Sequence, residues 1–193
     1  YSIDQKNLVS LSGIQFLITN EAAFPGAVVR DPRTGLITAV FDSFKNVADV
    51  KTTGVDVDAK YKPPQLVPGN LTLRGAATYV ISWKQPLAAG LASREWIGRN
   101  DGPAGALPRF RAKAGFDWDY AAWSLAANGN YIGQYRQGDT AVLAAGADAF
   151  VKPQATLDLF LAYKGIKNLK ITGSIQNVQD KQPPWDPGVS AAG

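Results

Sequence analysis

The chain has 193 residues, 46% of them hydrophobic, and 20 Lys and Arg against 16 Asp and Glu give it a net charge of +4. Cys, His and Met are all absent, which excludes thiolate and imidazole metal sites, Ser-His-Asp and Cys-His catalysis, and any disulfide framework. The basic residues are scattered rather than gathered among stacking aromatics, so composition and charge do not indicate a nucleic-acid groove.

Nineteen Gly and twelve Pro spread along the chain, with 10% aromatic residues, favour many strands joined by turns and an all-β class. No run approaches the ~20 apolar residues of a membrane helix, so a passage through a bilayer would have to use strands. The sequence begins at Tyr1 with neither an initiator Met nor a signal peptide, and it reads as a fragment of a longer frame.

In chain order, residues 1–10 read as a strand and residues 12–20 as a short helix inside a loop. A long strand is expected from about 36 to 61, where Val55, Val57, Ala59 and Tyr61 alternate with Asp56, Asp58 and Lys60. After a turn over 62–70, apolar Leu71, Leu73, Ala77, Tyr79, Ile81 and Trp83 alternate with Thr72, Arg74, Thr78 and Ser82. Period two sustained over this length means a strand.

A Gly- and Pro-rich loop over 85–107 follows. Phe110, Ala112, Ala114, Phe116, Trp118 and Tyr120 then share one face, with Arg109, Arg111, Lys113, Asp117 and Asp119 on the other. A two-residue turn at Ala121 and Ala122 predicts a hairpin into a strand over 123–135. Its apolar Trp123, Leu125, Tyr131 and Tyr135 stand opposite Ser124, Asn128, Asn130 and Gln134. A loop over 137–152 leads to a strand over 155–163 that sets Leu157, Leu159, Leu161 and Tyr163 against Thr156 and Asp158. A tight turn at 165–168 precedes the last strand, 169–175, and the chain then runs into Pro183, Pro184 and Pro187.

Short connections (62–70, 121–122, 165–168) thus alternate with long ones (11–35, 85–107, 137–152, 181–193). A β-structure crosses hydrocarbon only as a closed barrel, because every backbone polar group must be paired within the protein. Such barrels combine long strands, apolar outward and polar inward, with short periplasmic turns and long extracellular loops. Aromatic residues near strand ends suit interfacial girdles. The competing reading is a β-sandwich, whose inward faces alternate as well. Its strands are usually about five or six residues long, and nothing requires its long connections to share one end.

Four phrases carry a family resemblance: TTGVDVDAKY at 52–61, LTLRGAATYV at 71–80, LPRFRAKAGFDW at 107–118 and ITGSIQNVQDKQPPW at 171–185. Together and in this order they resemble the barrel of TonB-dependent receptors, with Asn177, Asp180 and Pro183 matching the family's late "N-[lvf]-x-[dn]-x-x-P" signature. YSIDQKNLV at 1–9 is similar to an earlier strand of the family.

The resemblance implies that the whole chain, 1–193, is a partial β-barrel domain. It would supply about seven antiparallel transmembrane strands of a barrel of about 22, without the plug domain, the energy-coupling box or the final aromatic strand. It further implies a Gram-negative outer-membrane location, lipid around the barrel, and energy-coupled uptake of a scarce nutrient rather than enzymatic catalysis. The partners would be the receptor's own plug, its remaining strands, the TonB complex and a small-molecule or oligosaccharide ligand, with no cofactor and no metal.

Arg74, Arg109, Arg111, Lys113, Asp56, Asp58, Asp117, Asp119 and Asp158 would then face the lumen and the plug. Asp56/Asp58 and Asp117/Asp119 resemble paired glycosidase carboxylates, but i,i+2 spacing on one polar face is what alternation produces anyway. Candidate ligand contacts are Arg94, Trp96 and Arg99, with Glu95, Asn100 and Asp101, in the loop over 85–107, and Trp185 beyond the last strand. Trp stacking and Arg forks suit sugars or anionic chelates. Trp96 fits equally well as loop packing. A passive porin or adhesin-like barrel and a soluble carbohydrate-binding sandwich are the alternative functions.

Overall fold

The structure, a computed structural model, describes residues 1–10, 14–64, 67–86, 91–100, 105–137 and 149–185. Asp101, the first two residues of the expected helix and the chain beyond Trp185 lie outside them. The chain divides into two compact units, one comprising Ser2–Thr52 and Trp83–Glu95 and the other Tyr1, Thr53–Ser82 and Trp96–Gly193.

In the unit that begins at Ser2, β1 (Ser2–Ser10) pairs with β4 (Lys45–Tyr61), and Lys51 Nζ stands 4.0 Å from Asp4 Oδ2. Between them lie α1 (Ile14–Thr19), a 3-10 turn (Glu21–Ala23), and an antiparallel hairpin of β2 (Val28–Arg30) and β3 (Ile37–Val40). The single strand expected over 36–61 is therefore two. β3 leaves it to pair with β2, and residues 41–44 separate β3 from β4.

Alternation could not reveal β2, because three residues are too few to establish a period. What creates the hairpin is its turn. Asp31 Oδ1 accepts the amides of Arg33 at 2.8 Å and Thr34 at 2.9 Å, and Gly35 adopts φ 72°, the left-handed region that glycine enters without a Cβ penalty. The Thr34 and Arg33 amides hold the Asp31 carboxyl below its ordinary range. Leu17, Ala27 and Val28 form a small core here, packed by Ile18, Phe24 and Val40. An Arg30–Glu21 ion pair at 2.9 Å lies outside it. The last residues of β5 (Asn70–Gln85) bond β6 (Arg94–Glu95) in this same unit, with Lys84 opposite Glu95.

The other unit is one antiparallel sheet. Its order runs from the second part of β4 through β5, β7 (Phe110–Tyr120), β8 (Trp123–Ile132) and β11 to β12. Here β9 (Tyr135–Arg136) and β10 (Phe150–Val151) form a separate two-stranded ribbon, and β11 and β12 are Gln154–Ile166 and Leu169–Ile175. The strand expected over 123–135 therefore ends at Ile132. Gly133 closes it by donating its amide to the Phe110 carbonyl at 2.8 Å, and Tyr135 belongs to the ribbon.

Short turns set the registers. Tyr120 pairs with Trp123 across Ala121 and Ala122, with Ala121 at φ 52°. Asn168 at φ 61° accompanies a register shift between Tyr163 and Ile166, the bulged form of a short hairpin connection. Among the described residues there are seven long strands, β1, β4, β5, β7, β8, β11 and β12, as the alternation indicated.

Candidate functional site

In an antiparallel pair, residues directly opposite one another lie on the same face of the sheet, so the registers sort side chains without ambiguity. On one face the cross-strand rows read Leu71–Trp118–Leu125–Leu161, Leu73–Phe116–Ala127–Leu159 and Tyr79–Phe110. Among the described residues, no second layer of protein covers these rows. Leu73 is 39% exposed, Tyr79 46%, Trp123 45%, Leu161 45% and Ile171 52%. A sandwich would bury these side chains in its core. Exposed and contiguous, they form an apolar surface of the kind that marks contact with lipid or another protein.

Aromatic residues collect at both ends of this face. Beside the short turns, Trp118 stacks on Tyr120 at 5.8 Å and Trp123 meets Tyr163 at 4.5 Å, while the Trp118 indole N–H donates to the Pro68 carbonyl at 2.8 Å. Beside the long connections, Phe110 and Tyr131 lie 5.9 Å apart. The 11 residues of β7 span roughly 34 Å at ~3.4 Å per residue. A strand tilt of about 40° turns that length into the ~25 Å height of a barrel's apolar band. No helix among the described residues is long and apolar enough to cross a membrane.

The opposite face carries the chemistry. Its rows are Thr78–Arg111–Ile132–Gln154, Ala76–Lys113–Asn130–Thr156, Arg74–Gly115–Asn128–Asp158, Thr72–Asp117–Ala126–Phe160 and Asn70–Asp119–Ser124–Ala162. The charged residues singled out on β5, β7 and β11 all fall on it. Ile132, Ala126, Phe160 and Ala162 fall there too, so this face is mixed rather than uniformly polar.

Register brings most of its charges to partners. The Arg74 guanidinium grips Asp117 with two bonds, Nε to Oδ2 at 2.8 Å and Nη2 to Oδ1 at 2.9 Å, and reaches Asn128 Oδ1 at 3.4 Å. The Ser124 hydroxyl donates to Asp119, and the Thr78 hydroxyl to Asp56 at 2.7 Å. Asp158 accepts the Asn130 side-chain amide at 3.0 Å and the Asn177 backbone amide at 2.8 Å. Arg109 donates to the carbonyls of Ile81 at 2.8 Å and Val80 at 3.3 Å, with its guanidinium carbon 5.9 Å from the centre of the Tyr79 ring.

Asp58, Arg111 and Lys113 line an open hollow of about 690 Å³, together with Asp56, Thr78 and Asn130. Among the described residues, no three His, Cys, Asp or Glu side chains converge to hold a metal ion. Asp117 and Asp119 are each taken up by a neighbour, Arg74 and Ser124, and do not face one another across a cleft.

The loop residues are dispersed. Arg94 lies exposed in β6. Trp96 is 1% exposed, which is the packing alternative of the two that the sequence left open. Arg99 is half-buried and bridges to Arg136 in parallel fashion, while Trp185 is 71% exposed.

Partners that sequence reasoning missed are Thr78, Ser124, Asn128 and Asn130. Their polarity on the right face was the available signal, but only register says which charge each one meets. Asn177 was legible from its signature. Its backbone amide meets Asp158, its side-chain oxygen accepts the Lys181 amide at 3.1 Å, and its side-chain N–H donates to the Lys181 carbonyl at 3.0 Å.

Comparison with known proteins gives a match to the family described as TonB dependent receptor-like, beta-barrel, over residues 1–178. No curated protein matches the chain. Members of this family are outer-membrane transporters and receptors rather than a class of enzyme. With a match that spans residues 1–178 and a sheet that is apolar on one side and carries charges on the other, this chain belongs to the TonB-dependent receptors and is part of their barrel.

Proposed function

We propose that this chain forms part of the wall of a receptor for energy-coupled uptake of a scarce nutrient across the outer membrane of a Gram-negative bacterium. The nutrient would be of the siderophore-iron, vitamin or oligosaccharide class. One observation carries the reading: a single sheet whose apolar rows, uncovered among the described residues, alternate with a mixed face on which most charges are paired. The apolar rows face lipid, and Arg74, Arg109, Arg111, Lys113, Asp56, Asp58, Asp117, Asp119 and Asp158 face a hydrated lumen and its plug.

Ligand is recognised by Arg94, Arg99 and Trp185, which belong to the long connections over 85–107 and 181–193. The plug and the TonB complex, reached through other parts of the receptor, supply the energy-coupled step. Solvent-exposed ion pairs such as Arg74–Asp117 are worth only ~0 to 1 kcal/mol each, so a plug leaning on this wall can exchange partners without a large barrier.

The test is growth of a receptor-deleted strain with iron chelate, cobalamin or oligosaccharide limiting in turn, followed by uptake measured with and without a protonophore. Loss of growth on one nutrient, with uptake abolished by the protonophore, is expected. Uptake that persists after the proton gradient collapses would instead identify a passive porin.

A further inference from the structure

The charges on the polar face are not evenly distributed along the strands. On β7 and its approach, Arg109, Arg111 and Lys113 stand toward the long-loop end and Asp117 and Asp119 toward the short turns. On β11 and its approach, Lys152 and Gln154 precede Asp158 in the same sense. The turn-side carboxylates are engaged, by Arg74, by Ser124, and by Asn130 with Asn177. At the loop end, the Arg111 and Lys152 side chains have no hydrogen-bond or ion-pair partner among the described residues.

These two cations line the same hollow of about 270 Å³ with Tyr135 and Gln154, and among the described residues no carboxylate lines it. Register places the gap between β7 and β11, and Lys152 lies just ahead of β11. Arg111 and Gln154 both pair with Ile132, one from each side, which sets their strands roughly 9.6 Å apart, two inter-strand spacings. Ile132, 41% exposed, forms an apolar floor between them that offers no competing charge. Ala106 and Pro108, before β7, and Pro183 and Pro184, after β12, complete its lining among the described residues. The larger hollow of about 690 Å³ also includes Arg111 and Ile132 and continues along the face.

We propose that this loop-end recess is a subsite for an anionic group, carboxylate or phosphate, on the transported nutrient, held between the Arg111 guanidinium and the Lys152 ammonium, with the rest of the molecule lying along the larger hollow. The inference rests on the uptake reading and narrows it to ligands that bear such a group. Arg offers a planar fork and Lys a point charge. Two cations at the mouth also raise the encounter rate of an anion at low ionic strength. Deeper on the wall, Arg74 is already held by Asp117, and Asp58 lines the same hollow as Lys113.

The experiment uses the full-length receptor in detergent micelles, with folding of each variant checked by heat-modifiable gel migration. Calorimetric titrations use citrate for the carboxylate arm, glycerol 3-phosphate for the phosphate arm and maltotriose as the uncharged arm. At least one anion is expected to bind, with affinity falling as salt rises. Arg111→Gln and Lys152→Gln should each weaken it roughly tenfold, the loss of one charge-assisted contact. Arg111→Lys should retain part of the affinity, and Lys167→Gln, at the β11–β12 turn, should leave it unchanged.

Failure of both anions to bind, saturation by maltotriose alone, or Gln variants as tight as the parent would overturn the proposal. If a Gln variant does not fold, the Arg111→Lys, Lys152→Arg pair keeps both charges and must still bind. Binding to purified receptor needs no energy source. A negative result here therefore leaves energy-coupled uptake standing, and protonophore-insensitive uptake would leave this subsite standing.

Discussion

Gly115 occupies the centre of the polar face, opposite Arg74 on β5 and Asn128 on β8. A Cβ there would come 2.5 Å from the Ala127 carbonyl oxygen and 2.7 Å from Asn128 Oδ1. The residue is glycine because backbone and a crossing polar network occupy the space. Gly129 is its contrast on the apolar face, where a Cβ would meet its nearest neighbour at an ordinary 3.6 Å. In urea unfolding of the lipid-reconstituted receptor, Gly115→Ala is expected to lose ~1 to 3 kcal/mol, the usual cost of overpacking. Gly129→Ala should stay within about 0.5 kcal/mol, as surface changes away from special features do. Equal losses would mean that the crowding at Gly115 has no energetic consequence. Alternation says which face a residue occupies but not how close its neighbours come, so this distinction was invisible in the sequence.

At the scale of elements, alternation located the long strands well where it persisted for ten or more residues, as in β5, β7, β8 and β11. It failed where side-chain period was not the controlling factor. The β2–β3 hairpin owes its existence to the Asp31 turn, and β8 stops where Gly133 bonds Phe110. The two faces of β5 give a direct test. Leu73→Arg, near the middle of the apolar rows, is expected to cost ~2 to 4 kcal/mol in a bilayer, whereas Thr72→Arg, one residue away on the polar face, should cost less than about 1 kcal/mol. Equal costs would place both residues in the same surroundings and remove the lipid-facing assignment.

For the molecule as a whole, the sheet ends on an edge. β12 bonds β11 alone among the described strands, and an unpaired strand edge templates further pairing. Among the described residues, the apolar rows lie uncovered as well. Expressed by itself without detergent, the 193-residue chain is therefore expected to assemble or precipitate. Light scattering that shows a monomer with one cooperative unfolding transition would contradict the membrane reading of its surface. Period-two alternation, the rhythm of short and long connections and a few family phrases determined by themselves that this is an all-β wall with one apolar and one polar face, because a strand's side chains must alternate whatever the strand is bonded to. Only the tertiary structure decided that Arg74 takes Asp117, that Asp158 holds Asn177, that Trp96 is buried and that Arg111 and Lys152 share one recess. Those outcomes depend on which residues stand opposite one another across strands, and register comes from turn geometry and pairing between segments dozens of residues apart.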